Sequence, residues 1–200
     1  TDGRDFVTHF NAQGGQGAFH DRDGVTAVVF PGNIASTSVE LFEHETPMIV
    51  RTRALIPDSG GPGRYRGGLG QKTVLEARAA VPIRTALSGG RFHPPASGMD
   101  GGTNGALGEI RVNVEAPFGR PDRADLATGD RVTLCQPGGG GFGPAGERDP
   151  DHVNHDLREG YISAEMALRD YAVVLDPTGG QVDIEGTCAL RKSEAESTEL

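Results

Sequence analysis

The side chains and backbone best suited to chemistry gather in one stretch, Pro57-Asp58-Ser59-Gly60-Gly61-Pro62-Gly63-Arg64-Tyr65-Arg66-Gly67-Gly68-Leu69-Gly70. Its glycines let the chain adopt positive φ and aim consecutive N–H groups at an anion. Arg64 and Arg66 stand at i and i+2, so in an extended segment they share a face, with Asp58 close behind. Two readings stand side by side. One is a cradle for an anion or a partner's carboxylate. The other, which residue physics favours, is a tight loop whose arginines tie down neighbouring strands through Asp58. Arg91 and His93 lie in another glycine-rich loop, where a cation and an imidazole can reach a ligand. A third segment, Pro137 to Gly143, contains the uninterrupted run Gly138, Gly139, Gly140 and Gly141. Side chains absent from four successive positions imply close approach of backbone, either to another strand or to a substrate.

Several tempting motifs fail on spacing. Gly70-Gln71-Lys72-Thr73 resembles the end of a phosphate-binding loop, but Gln71 separates the glycine from the lysine, so ATP binding by this segment is rejected. The run 137–143 lacks the GxGxxG order of a dinucleotide site. His152 and His155, near Asp149, Asp151 and Asp156, suggest a facial metal site. Carboxylates in a first helical turn, however, are already accounted for by the helix dipole. No nucleophile elbow or HExxH pattern occurs, so residue physics assigns no catalytic residue and no metal ligand.

The elements that must position these loops are mostly strands. Alternation predicts strands over 5–10, 25–30 and 47–56, the last with Arg51 and Arg53 on one face. Residues 72–78 and 82–87 read as two strands of a hairpin or meander, followed by strands over 107–114 and 131–135; 36–44 is strand or short helix, and 115–130 is polar and turn-rich. After Gly146 the texture turns helical. Asp149 caps a helix with Pro150 at its first position, Val153 and Leu157 one turn apart, and an end near Gly160. Ser163 caps a second helix carrying Ala167, Leu168 and Tyr171, and 171–175 gives a final strand. The expected fold class is α+β, mainly β: a loop-rich β-sheet domain with two short helices near the C-terminus. Residues 1–146 form the glycine-rich β region, 147–176 the helical segment of the same domain, and 177–200 a flexible tail.

Composition narrows the function. The chain has 200 residues, 31 of them glycine, and a net charge of −9 with only Lys72 and Lys192 as lysines. Without a basic stripe it offers no footprint for nucleic acid or an anionic membrane. Two distant cysteines, Cys135 and Cys188, form no zinc motif, and no apolar run reaches the ~18 residues of a membrane span. A cytoplasmic protein is expected. The start at Thr1-Asp2-Gly3-Arg4 suggests a segment of a larger polypeptide.

Three blocks carry a family resemblance: Glu45-Thr46-Pro47 with the Pro57–Gly70 loop; Gly129-Asp130-Arg131-Val132 leading into Pro137–Gly143; and Glu147-Arg148-Asp149-Pro150 with residues 156–163 and 171–175. In order and spacing the chain resembles the C-terminal portion of the hydantoinase B/oxoprolinase family. The resemblance implies a C-terminal fragment or split subunit of an ATP-dependent cyclic-amide hydrolase that opens hydantoins, 5-oxoproline or lactams. A sister group, the ketone carboxylases acting on acetone or acetophenone, is one alternative, and a non-catalytic assembly module is another. ATP and a divalent metal are implied for the full complex rather than for this chain. The implied partners are an ATP-binding A-type subunit and the N-terminal part of the B-type subunit, which carries the family's metal motifs. Only Asp58, Arg64, Arg66 and the Pro137–Gly143 run carry over, as structural or site-bordering residues.

Overall fold

Period-two alternation builds the central sheet. In the computed structural model, which describes residues 6–29, 38–87, 89–113, 123–178 and 180–198, the first elements are helix α1 (Val39–Glu45) and strand β1 (Met48–Leu55). Strands β2 (Gln71–Ala77), β3 (Ile83–Ala86), β4 (Glu109–Val112), β5 (Arg123–Leu126) and β6 (Arg131–Cys135) follow. Four of them form one antiparallel sheet in the order β1-β2-β6-β4. Leu75, Ala77, Val132, Leu134 and Ile110 point to one face and pack with Phe42 of α1 and with Met48. Each such large apolar side chain contributes about 1.5–3 kcal/mol on burial. The opposite face carries Lys72, Glu76, Arg131, Thr133, Glu109 and Arg111, because cross-strand partners share a face. There Glu76 accepts Arg51 Nη2 at 2.7 Å and Arg131 Nε at 2.9 Å. These hydrogen bonds, Arg51 first, hold its carboxyl down to about 2.

The structure corrects several expectations. Arg51 and Arg53 do not share a face. A register shift between Val50 and Thr52 leaves Arg51 bulged toward Glu76, whereas Arg53 bonds Gln71 and Gln13. Strands β2 and β3 do not pair as a hairpin. β3 instead pairs with β5, inside the stretch expected to be turns, because the Ile83–Leu126 cross-strand pair enters the main core. Residues 115–122 of that stretch, and residue 114 at the end of the strand expected over 107–114, lie outside the described residues. Residues 6–13 form no strand, and of 25–29 only Val28 makes a bridge, to Gly14. Their apolar side chains are used in packing instead: the Phe10 ring meets Phe42 edge-on at 5.0 Å.

A 3-10 turn at Ala145–Glu147 opens the C-terminal part, followed by α2 (Pro150–Arg158) and α3 (Ala164–Tyr171). Asp149 accepts Asp151 N–H and Ser163 accepts Met166 N–H, so both caps stand where the sequence places them. Val153, Ile162, Met166, Ala167, Tyr171 and Val173 form a second core. Tyr171 closes α3, with Ala172 at φ 47 ending the helix. The strand expected over 171–175 therefore shrinks to β7 (Val174–Leu175), paired with β8 (Val182–Asp183). Helix α4 (Ile184–Thr198) occupies the region expected to be a flexible tail. It is anchored where Thr187 Oγ1 accepts Val174 N–H at 2.9 Å and Arg191 donates to the Tyr171 carbonyl at 2.8 Å. The architecture is α+β, with three helices rather than two in the C-terminal part of the described residues. No helix among them is long and apolar enough to cross a membrane.

Candidate functional site

The glycine-rich segments converge on one another. Gly15 and Ala18 donate to the carbonyls of Pro137 and Gly140; Gly138 and Gly141 donate to Ala106 and Thr103; Ala106 and Thr103 donate to Ser59 and Pro62. Gly24 and Ala27 donate to Arg66 and Leu69. In each of these pairs the bonded residues are three apart, the repeat of an extended threefold helix of polyproline type. The contacts at the run 138–141 obey the same period. A Cβ on Gly138 would lie 1.7 Å from the Ser59 carbonyl oxygen and one on Gly141 2.2 Å from that of Pro62, both in the 59–62 segment. A Cβ on Gly139 would meet the Gln16 oxygen at 1.9 Å and one on Gly140 the Ser97 oxygen at 2.1 Å. The run is thus the hub of a backbone bundle in which three faces each touch a different segment, which leaves no room for any side chain.

This packing decides what the backbone can do. Gly67, Gly68, Gly138, Gly139 and Gly141 all donate their N–H groups to protein carbonyls, at 2.8–3.1 Å. The close approach expected of the second run is to other backbone, and in the first loop the amides of Asp58, Gly61 and residues 64–70 are engaged without an anion.

The side chains singled out from sequence fall into four separate settings. Asp58, at φ 61, accepts Ser163 N–H at 2.7 Å while its own N–H bonds the Tyr161 carbonyl, so it pins the loop to the start of α3. Arg64 is exposed and pairs with Glu147. Arg66 is buried and donates to Asp156 at 3.0 and 3.4 Å and to the Gly67 carbonyl at 2.7 Å. Arg64 and Arg66 therefore do not act on a common ligand face. Arg91, at φ 59, and His93 are exposed, and among the described residues no hydrogen bond or ion pair joins them to Asp58, Arg64 or Arg66.

Around Arg66 lies a buried ionic network that the sequence reading did not assemble. Arg148, 1% exposed, donates to both oxygens of Asp23 at 2.7 Å and to Asp156 at 2.8 Å. Asp23 also accepts the Arg66 N–H at 2.7 Å. Two guanidiniums and two carboxylates thereby link the N-terminal segment, the glycine loop and α2. Burial pushes the Asp23 carboxyl up, but the Arg148 hydrogen bonds and charge outweigh it and hold the group below its ordinary range. Burial raises the Tyr171 hydroxyl, and neither it nor Arg148 Nε has a hydrogen-bond partner among the described residues. Asp156 is committed to this network, Asp149 caps α2, and the His155 ring faces Tyr161 edge-on. Among the described residues no group of three His, Cys, Asp or Glu side chains is arranged to hold a metal ion. The single available signal for the network was the run Glu147-Arg148-Asp149, where an arginine directly precedes a helix cap.

Comparison with known proteins accords with this architecture. The beta subunit of caprolactamase from Pseudomonas jessenii is 32% identical over 175 residues, covering 80% of this chain and 29% of that subunit. The delta subunit of acetophenone carboxylase from Aromatoleum aromaticum is 29% identical, covering 90% of this chain and 32% of the relative. The crystal structure of ATP-dependent caprolactamase from Pseudomonas jessenii matches the fold with a TM-score of 0.72 at 29% identity, over 90% of this chain and 33% of that one. The chain thus spans about a third of the length of these relatives. The family model described as hydantoinase B/oxoprolinase matches residues 1–145, more than half the chain. This chain belongs to the hydantoinase B/oxoprolinase family.

Proposed function

We propose that this chain is the scaffold portion of an ATP-dependent cyclic-amide hydrolase, working with an ATP-binding A-type subunit and the remainder of a B-type subunit. The observation that carries the reading is the family match over residues 1–145 together with 32% identity to a caprolactamase subunit. The geometry supports a scaffold role. The amides of Gly61, Gly67, Gly68, Gly138, Gly139 and Gly141 are engaged internally, and Arg66 and Arg148 neutralise Asp156 and Asp23 rather than facing an open cleft. The groups that activate and attack the amide then come from the rest of the assembly. Rigid backbone packing of this kind suits the task, since catalytic geometry must be held to about 0.5 Å.

A second reading, part of a ketone carboxylase, is favoured by the 29% identity to the acetophenone carboxylase delta subunit over 90% of the chain. Co-expression with an A-type subunit and the remaining B-type chain separates them. ATP-dependent opening of caprolactam, hydantoin or 5-oxoproline supports the hydrolase. ATP turnover that needs bicarbonate and acetone or acetophenone supports the carboxylase. Failure to associate with either subunit would sink both, leaving an independent assembly module.

A further inference from the structure

The polar face of the central sheet holds a cleft that the bundle and the ionic network do not use. Its volume is about 320 Å³ and it is lined by Lys72, Glu109, Arg111, Asn113, Thr133 and Cys135, at the lower end of the ~300–1,000 Å³ typical of small-ligand sites. Register explains its shape. Lys72 and Glu109 stand on either side of Cys135, and Arg111 stands beside Thr133. Long side chains on β2 and β4, the two strands paired with β6, therefore flank short ones on β6, which makes a trough.

The charges in the trough are unevenly matched. Arg111 Nε donates to Glu109, so that pair is close to neutral and the guanidinium is held in place; among the described residues its terminal nitrogens make no hydrogen bond. Lys72 has no hydrogen-bonding or acidic partner among the described residues. The Asn113 amide is already engaged, accepting Arg131 N–H and donating to Asp130. One uncompensated ammonium remains, beside a fixed guanidinium and a threonine hydroxyl. We propose that this cleft binds a small organic monocarboxylate, with Lys72 supplying the charge and Arg111 and Thr133 the orienting hydrogen bonds. A carboxylate accepts such charge-assisted hydrogen bonds at about 2.7–2.9 Å, and a floor of small side chains admits it without displacing the strands. The site is independent of the proposed function, because neither its residues nor its ligand is taken from that reading.

Cys135 on the trough floor reports occupancy. In a Cys188→Ser background, Ellman's reagent labels Cys135 alone, and the quantity read is the ratio of labelling rates with and without propionate at constant ionic strength. Saturating propionate is expected to slow labelling at least threefold in the parent and in Lys192→Met, and to leave Lys72→Met unchanged. Each ratio is taken within one protein, so an altered basal thiol reactivity in Lys72→Met cancels. Matching thermal midpoints confirm that this exposed substitution leaves the fold intact. Equal slowing by sodium chloride, slowing by inorganic phosphate but not propionate, or slowing that survives Lys72→Met would each overturn the assignment.

Discussion

Replacing Gly139 by alanine tests the backbone bundle where it is tightest. The new methyl carbon would sit 1.9 Å from the Gln16 carbonyl oxygen, 2.2 Å from the Gln16 carbonyl carbon and 2.6 Å from the Gly17 nitrogen. Ordinary carbon–oxygen approach is about 3.3 Å, so one segment must yield by about 1.4 Å. Gly139 N–H bonds Gly68 O at 2.9 Å and Gly139 O accepts Gly61 N–H at 2.8 Å, so that displacement disrupts at least one of these bonds. An unsatisfied buried group costs about 1–3 kcal/mol and overpacking a further ~1–3. Gly139→Ala should therefore destabilise the chain by about 2–6 kcal/mol, read as the shift in urea midpoint at unchanged slope. Gly146→Ala is the matched control: nothing lies within 4 Å of its Cβ position and its φ is not positive. It should be neutral or stabilising by up to ~1 kcal/mol. If Gly139→Ala fell within ~0.5 kcal/mol of Gly146→Ala, the hub would not be rigid and the reasoning from steric period would fail.

Other predictions follow from the ionic groups and caps. Asp156→Ala leaves Arg66 and Arg148 facing each other without their shared carboxylate and should cost about 3–5 kcal/mol, whereas Arg64→Ala breaks only an exposed pair and should cost under ~1 kcal/mol; chemical denaturation of both variants checks the contrast. Tyr171→Phe removes a buried hydroxyl that has no hydrogen-bond partner among the described residues, so its thermal midpoint should match or exceed that of the parent. Glu76 has a folded pKa of about 2 against an ordinary value of 4.5, so the unfolded chain binds more protons between those values. The stability it contributes is complete above pH 4.5 and disappears as pH falls toward 2; a urea midpoint that declines over this window less in Glu76→Gln than in the parent is the expected result. Ser163→Ala removes the α3 cap and should cost ~1 kcal/mol by the same assay.

Legibility of the sequence tracked how local each feature is. The caps Asp149 and Ser163, the strand over 131–135 and the α+β class depend on neighbours within a few residues, and they emerge where the pattern places them. Strand pairing is non-local: nothing in the run 82–87 announces that its partner is Arg123–Leu126 rather than β2. The bundle is harder still, because period-three hydrogen bonding among glycines leaves no side-chain pattern to read. Alternation likewise predicts strands over 5–10 and 25–30, whereas the described residues 6–10 form no strand and the backbone of 25–29 serves the glycine hub. In the site, spacing places Arg64 and Arg66 on one face, yet Arg64 pairs with Glu147 at the surface and Arg66 with a buried carboxylate 90 residues away. Arg148 and Asp23 are 125 residues apart, and no local rule joins them.

Amide hydrogen exchange at Gly61, Gly68, Gly139 and Gly141 bears most directly on the claim that these N–H groups belong to the scaffold rather than to a ligand. Internal bonding requires slow exchange, by about a thousandfold or more relative to an unstructured peptide, in the absence of any anion and unchanged by phosphate or ATP. Fast exchange at these glycines that slows on adding phosphate would show an anion cradle instead, and would contradict the scaffold assignment.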